Sequence, residues 1–111
     1  SDDESIRQAK GYDHNFVLDS SDFYMPAAVA FHNKSGLRLT VFTDQPAIQL
    51  YTGNWLNNVD GKPSKYRDYA GFCLETQHFP DSPNHAHFPD TILRPGIEFY
   101  SKTIYKIDLT A

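Results

Sequence analysis

Apolar and polar residues along this chain alternate in short runs, and each run is closed by a turn signal. Leu37-Arg38-Leu39-Thr40-Val41-Phe42-Thr43 has the two-residue period of a half-buried strand, and Ala27 to His32 precedes it across Asn33-Lys34-Ser35-Gly36. The glycine suits a hairpin connection, so these two runs are expected to pair. His14 to Leu18 reads as an earlier strand ended by Asp19-Ser20-Ser21-Asp22. Ala47 to Thr52 reads as a later one, resuming after Pro46 breaks the ladder. On it Ile48 and Leu50 share one face, leaving Ala47, Gln49 and Tyr51 on the other. Ser5 to Lys10 has room for a turn or two of helix before Gly11 stops it. Asn57 to Ser64 is a polar loop, and Pro80 to Gly96 is a long irregular segment too rich in proline for a sheet interior. Glu98 to Leu109 is expected to be the last and longest strand. No 3.6-residue apolar period is sustained. The expected fold is therefore all-β, a sandwich or part of one, with no internal repeat and no boundary between two domains.

One strand breaks its own pattern. Gly71 to Gln77 reads as buried, yet Glu75 stands where an apolar residue would be the default. Phe72, Leu74 and Thr76 fall on one face, and Cys73, Glu75 and Gln77 on the other. A buried carboxylate is costly without a partner. Glu75 therefore faces a solvated cleft or is paired, unless the strand is simply an exposed edge.

Composition narrows the functional classes. The 111 residues are 40% hydrophobic and 14% aromatic, enough for a packed core of one domain. A net charge of -4 with no basic stripe argues against a nucleic-acid partner. One cysteine excludes an intrachain disulfide framework and fits a reducing compartment, so a cytoplasmic location is expected. No apolar run approaches the ~20 residues of a bilayer span, so no membrane partner is expected. The chain opens Ser1-Asp2-Asp3-Glu4-Ser5 without an initiator Met and reads as an internal piece of a longer protein.

Two carboxylates, Asp13 and Glu75, sit where they can accept sugar hydroxyls or act as a general base. For Asp13 the sequence alone favours a turn-stabilising role over these. Gln49 offers both donor and acceptor groups to a polyol, or an ordinary cross-strand bond. His78, His85 and His87 lack the ligand set of a zinc site, and no metal is expected. Trp55 suits packing beside the loop or stacking on a sugar ring. Walker, dinucleotide and nucleophile-elbow motifs are missing.

In order and spacing, four stretches resemble the C-terminal third of the aldose 1-epimerases, the galactose mutarotases. They are Gly11-Tyr12-Asp13-His14-Asn15-Phe16, Gln45 to Asn54, Gly71 to Gln77 with Pro80-Asp81-Ser82-Pro83-Asn84, and Leu93-Arg94-Pro95-Gly96. The resemblance implies one segment, residues 1–111, of a large supersandwich enzyme that interconverts the α and β anomers of free aldoses such as galactose and glucose without a cofactor. It implies Glu75 as general base at the anomeric hydroxyl, with Asp13 and Gln49 as substrate-binding residues. The family's acid histidine, a second histidine and an arginine lie in the preceding two-thirds, and none of His14, His78, His85 or His87 occupies the acid position. Ile97 stands where relatives tend to carry an acid. The isolated chain is accordingly expected to be inactive, with the missing N-terminal portion of the same protein and a monosaccharide as its partners. A non-catalytic sugar-binding sandwich is the alternative, and a purely structural one the third reading.

Overall fold

The computed structural model describes residues 2–20 and 22–110. In chain order the elements are α1 (Glu4–Gln8), β1 (Asp13–Val17), β2 (Ala28–Phe31), β3 (Leu37–Thr43), β4 (Ala47–Tyr51), β5 (Val59–Asp60), β6 (Lys65–Tyr66), β7 (Cys73–Gln77) and β8 (Thr103–Leu109), with a 3-10 turn at Ser82–Asn84. The chain divides into two compact units, residues up to Phe16 with Ile48–Glu75, and Val17–Ala47 with the residues from Thr76 onward. The all-β class read from the alternating runs is what the structure has. Among the described residues no helix is long and apolar enough to cross a membrane.

In the first unit Asp3 caps α1 by accepting the backbone N–H groups of Ser5 at 2.9 Å and Ile6 at 3.2 Å. The helix ends by a double closure, Gly11 N–H to the Ile6 carbonyl at 2.9 Å and Lys10 N–H to the Arg7 carbonyl at 3.2 Å. Lys10, not Gly11, takes the left-handed turn, at φ 59°. Gly11 is required for another reason. It lies at φ 152°, and a Cβ there would overlap the Asn54 amide oxygen and come within 2.7 Å of the Thr52 hydroxyl. Strands β1, β4 and β7 form a sheet in that order. The polar loop expected over 57–64 holds the start of a short hairpin, in which Val59 pairs with Tyr66 and Asp60 with Lys65.

In the second unit β2, β3 and β8 form an antiparallel sheet with β3 in the centre. The expected hairpin is present, with Ala28 opposite Val41, Phe31 opposite Arg38, and Gly36 at φ 71° in the connection. Val41 lies between Ala28 and Tyr105 and is fully buried, and its neighbour Thr40 is buried on the other face. Thr43, buried, shares a hydroxyl pair with Thr103 at 3.0 Å, and Thr103 another with Thr76 at 2.7 Å.

Three sequence expectations need correction. The last strand is Thr103–Leu109, no longer than β3, because the Asp44 carboxylate takes the Lys102 N–H at 3.1 Å and the ladder starts at Thr43 opposite Thr103. β1 begins at Asp13, so this residue is in the strand rather than before it. The strand carrying Glu75 starts at Cys73 and buries none of its five residues fully, as befits the edge of a three-stranded sheet. The segment from Pro80 is irregular, as expected, and is ordered locally by a 3-10 turn at Ser82–Asn84, by Phe79 and Phe88 meeting edge-on at 5.1 Å, and by His85 stacking on Phe88 at 4.6 Å. The turn expected at Asp19-Ser20-Ser21-Asp22 includes Ser21, which lies outside the described residues.

Candidate functional site

The structure brings two of the three sequence-derived site residues into direct contact. Gln49, on β4, donates from Nε2 to the Asp13 carboxylate, on β1, at 2.9 Å. A carboxylate can only accept, so this bond fixes which way the amide lies and turns the Gln49 carbonyl oxygen elsewhere. That oxygen, Oε1, is buried and has no hydrogen-bond partner among the described residues. An unsatisfied buried acceptor costs ~1–3 kcal/mol, and a hydroxyl donor arriving there removes the penalty.

Asp13 is held as firmly through its backbone. The Tyr12 carbonyl accepts from Thr52 N–H at 3.1 Å and from Asn54 Nδ2 at 2.9 Å, and Tyr12 N–H donates to the Thr52 hydroxyl at 2.9 Å. Asn54 has no exposed surface, so its end of this contact is shielded from water, where a hydrogen bond is electrostatically stronger. The Asp13 N–H donates to His14 Nδ1 at 2.9 Å. In the sequence Thr52 reads only as the end of a strand and Asn54 only as a turn residue after it. Their signal was their place in the stretch after Gln49, but nothing in one dimension pairs them with Tyr12, some forty positions away.

Glu75 is exposed, at the middle of β7, next to the strand that carries Gln49. Its carboxylate has no hydrogen bond or ion pair among the described residues. Adjacent strands lie ~4.8 Å apart, so across the strands the three positions span about 10 Å. Cys73, two residues before Glu75, is a free and exposed thiol. Trp55 is exposed and carries the Lys10 ammonium 4.3 Å from its ring centre, so one indole face is already occupied.

The histidines of the Pro80 segment belong to the second unit and have local partners. His85 Nε2 meets Asp81 Oδ2 at 2.9 Å, and His87 packs edge-on against His85 at 5.7 Å. The Asn84 amide and then His85 hold the Asp81 carboxyl below its ordinary value. His78 Nδ1 pairs with the Gln45 side-chain oxygen at 2.9 Å. Among the described residues no three His, Cys, Asp or Glu side chains are grouped to hold a metal.

Among the described residues, sheets of antiparallel strands with a single short α-helix at the start define an all-β protein. Comparison with known proteins narrows the class. The family model for aldose 1-epimerase matches residues 1–106. The chain is 44% identical over 101 residues to galactose mutarotase from Bos taurus and from Homo sapiens, covering 89% of this chain and 30% of each relative. It is 41% identical over 108 residues to aldose 1-epimerase from Escherichia coli K12, covering 94% of this chain and 31% of that protein. The chain belongs to the aldose 1-epimerase family, and it spans about 30% of the length of the relatives it matches.

Proposed function

We propose that this chain is the C-terminal segment of a single aldose 1-epimerase domain and supplies one wall of its sugar site. Glu75 is the general base that takes the proton from the anomeric hydroxyl. Asp13 and Gln49 hold sugar hydroxyls, with Gln49 Oε1 accepting one of them. Ring opening needs a base at O1 and an acid at the ring oxygen; rotation about C1–C2 and reclosure then deliver the other anomer. The acid comes from the part of the parent protein that precedes this segment. The substrates are free aldoses such as galactose and glucose, no cofactor enters the reaction, and the protein works in the cytoplasm.

The observation that carries this reading is the Asp13–Gln49 bond, which leaves a buried acceptor waiting on the strand beside Glu75. The need for a covering segment has its own support. On the β2-β3-β8 sheet, Leu37, Ile107 and Leu109 share the face of Val41, yet Ile107 and Leu109 are 71% and 75% exposed. An apolar face of this kind is ordinarily covered by another part of the protein.

Glu75→Gln in the full-length parent is the test. Loss of a positioned base lowers exchange by ~10²- to 10⁴-fold while galactose still binds. Anomer exchange retained at the parent rate in the variant rejects the base assignment. A non-catalytic sugar-binding module predicts binding with no exchange in the parent itself. Polarimetry on the purified 111-residue chain is expected to show no exchange above the uncatalysed rate.

A further inference from the structure

The peptide unit joining Tyr12 to Asp13 is gripped at both ends. Its oxygen accepts from Thr52 N–H and Asn54 Nδ2, and its N–H donates to the Nδ1 of the next residue, His14. Because Nδ1 accepts a backbone proton, the neutral ring carries its own proton on Nε2. Nε2 then donates to the Ser5 hydroxyl at 2.9 Å, and Ser5 donates in turn to Asp3 Oδ1 at 2.5 Å. Tyr12 closes the ring's other side edge-on at 5.7 Å. This order of donors also rules out a nucleophilic serine: the Ser5 proton points to Asp3, and the nitrogen facing Ser5 is already protonated.

We propose that His14 is a positioning residue for the sugar site, a neutral clamp that fixes the Tyr12–Asp13 peptide plane and thereby aims the Asp13 carboxylate. It neither gives nor takes a proton in the reaction. The inference rests on the reading in which Asp13 holds a sugar hydroxyl, and it adds the residue that sets the carboxylate's direction. With the oxygen of the plane held by Thr52 and Asn54, rotation of the plane is blocked only while its N–H is also held. Releasing the N–H lets the carboxylate swing relative to Gln49, which costs sugar affinity rather than chemistry.

Two substitutions separate this role from a merely structural one. Asn at position 14 places an acceptor oxygen where Nδ1 lies but does not reach Ser5. Gln reaches toward Ser5 but has only its carboxamide carbon at the level of Nδ1, with no acceptor there. In the full-length protein, His14→Gln is expected to raise the KM for galactose roughly five- to tenfold, the value of one hydrogen bond, with kcat changed less than KM. His14→Asn is expected to recover KM to within about threefold. Amide hydrogen exchange at Asp13, read by NMR, gives a second measure independent of turnover: it should quicken in the Gln variant and stay slow in the Asn variant. Equal KM effects for Asn and Gln, or rescue by Gln instead of Asn, overturns the proposal in favour of anchoring α1 through Ser5. Asp13→Ala, run in parallel, keeps the two readings apart. If Asp13→Ala leaves galactose affinity intact, the sugar-site assignment of Asp13 fails; if it abolishes affinity while the His14 series is flat, only the clamp fails.

Discussion

Replacing Gly11 by alanine tests the packing that holds the candidate site, and its cost can be worked from the contacts. The added Cβ would overlap the Asn54 side-chain oxygen and stand 2.7 Å from the Thr52 hydroxyl, at a φ of 152° that side chains other than glycine's rarely adopt. Asn54 is fully buried and cannot swing into water. If it gives way it forfeits its bond to the Tyr12 carbonyl at 2.9 Å and the bond it accepts from Thr52 at 2.6 Å. Each is worth about 1 kcal/mol, and the strained backbone adds ~1–3 kcal/mol. Gly11→Ala should therefore lower the unfolding free energy by about 4 kcal/mol. Gly71→Ala is the matched control, since nothing lies within 4 Å of its added Cβ. That change should be neutral or stabilise by about 0.4–1 kcal/mol through the unfolded chain. Urea denaturation of the parent protein and both variants measures the difference. A Gly11→Ala midpoint that matches Gly71→Ala would refute the account of why glycine is needed there. Galactose affinity should fall with stability in Gly11→Ala, because the clash falls on Asn54 and Thr52, the residues that hold the carbonyl next to Asp13.

Val41→Ala removes two methyl groups from a fully buried site and should cost about 2 kcal/mol in the same assay, whereas Val29→Ala, at a half-exposed position one strand over, should stay within about 0.5 kcal/mol. Acid should loosen three local caps together. The Ser5 hydroxyl and the Ile6 N–H hold the Asp3 carboxyl below its ordinary 3.8, Asn84 and His85 do so for Asp81, and Arg94 and the Ile92 N–H for Asp90. A lowered folded value means that each contribution is present above the ordinary value and is lost as pH falls through the lowered one. Asp3→Asn should flatten the part of the acid-unfolding curve that belongs to α1, and an unchanged curve would show that the cap carries no stability.

Much of the fold was legible because a strand's period is local. β3 was readable to the residue, since its seven residues carry no proline or glycine and Val41 and Thr43 both turn into the core. The hairpin to β2 followed from one glycine that the connection needs at positive φ. The true start of β8 was not legible, because Asp44, far back in the chain, decides where Lys102 stops being free and the ladder begins. The family, too, was carried by the order and spacing of short stretches.

Contact between Asp13 and Gln49 was beyond reach in one dimension. No periodicity says that Gln49 turns its amide to Asp13 and buries its oxygen, or that Asn54 and Thr52 grip the Tyr12 carbonyl while His14 takes the next N–H. Sequence fixes which groups can donate and accept. Only the pairing of β1 beside β4 decides which donor meets which acceptor, because hydrogen bonds are directional and short, and their partners here are separated by up to 42 positions in the chain.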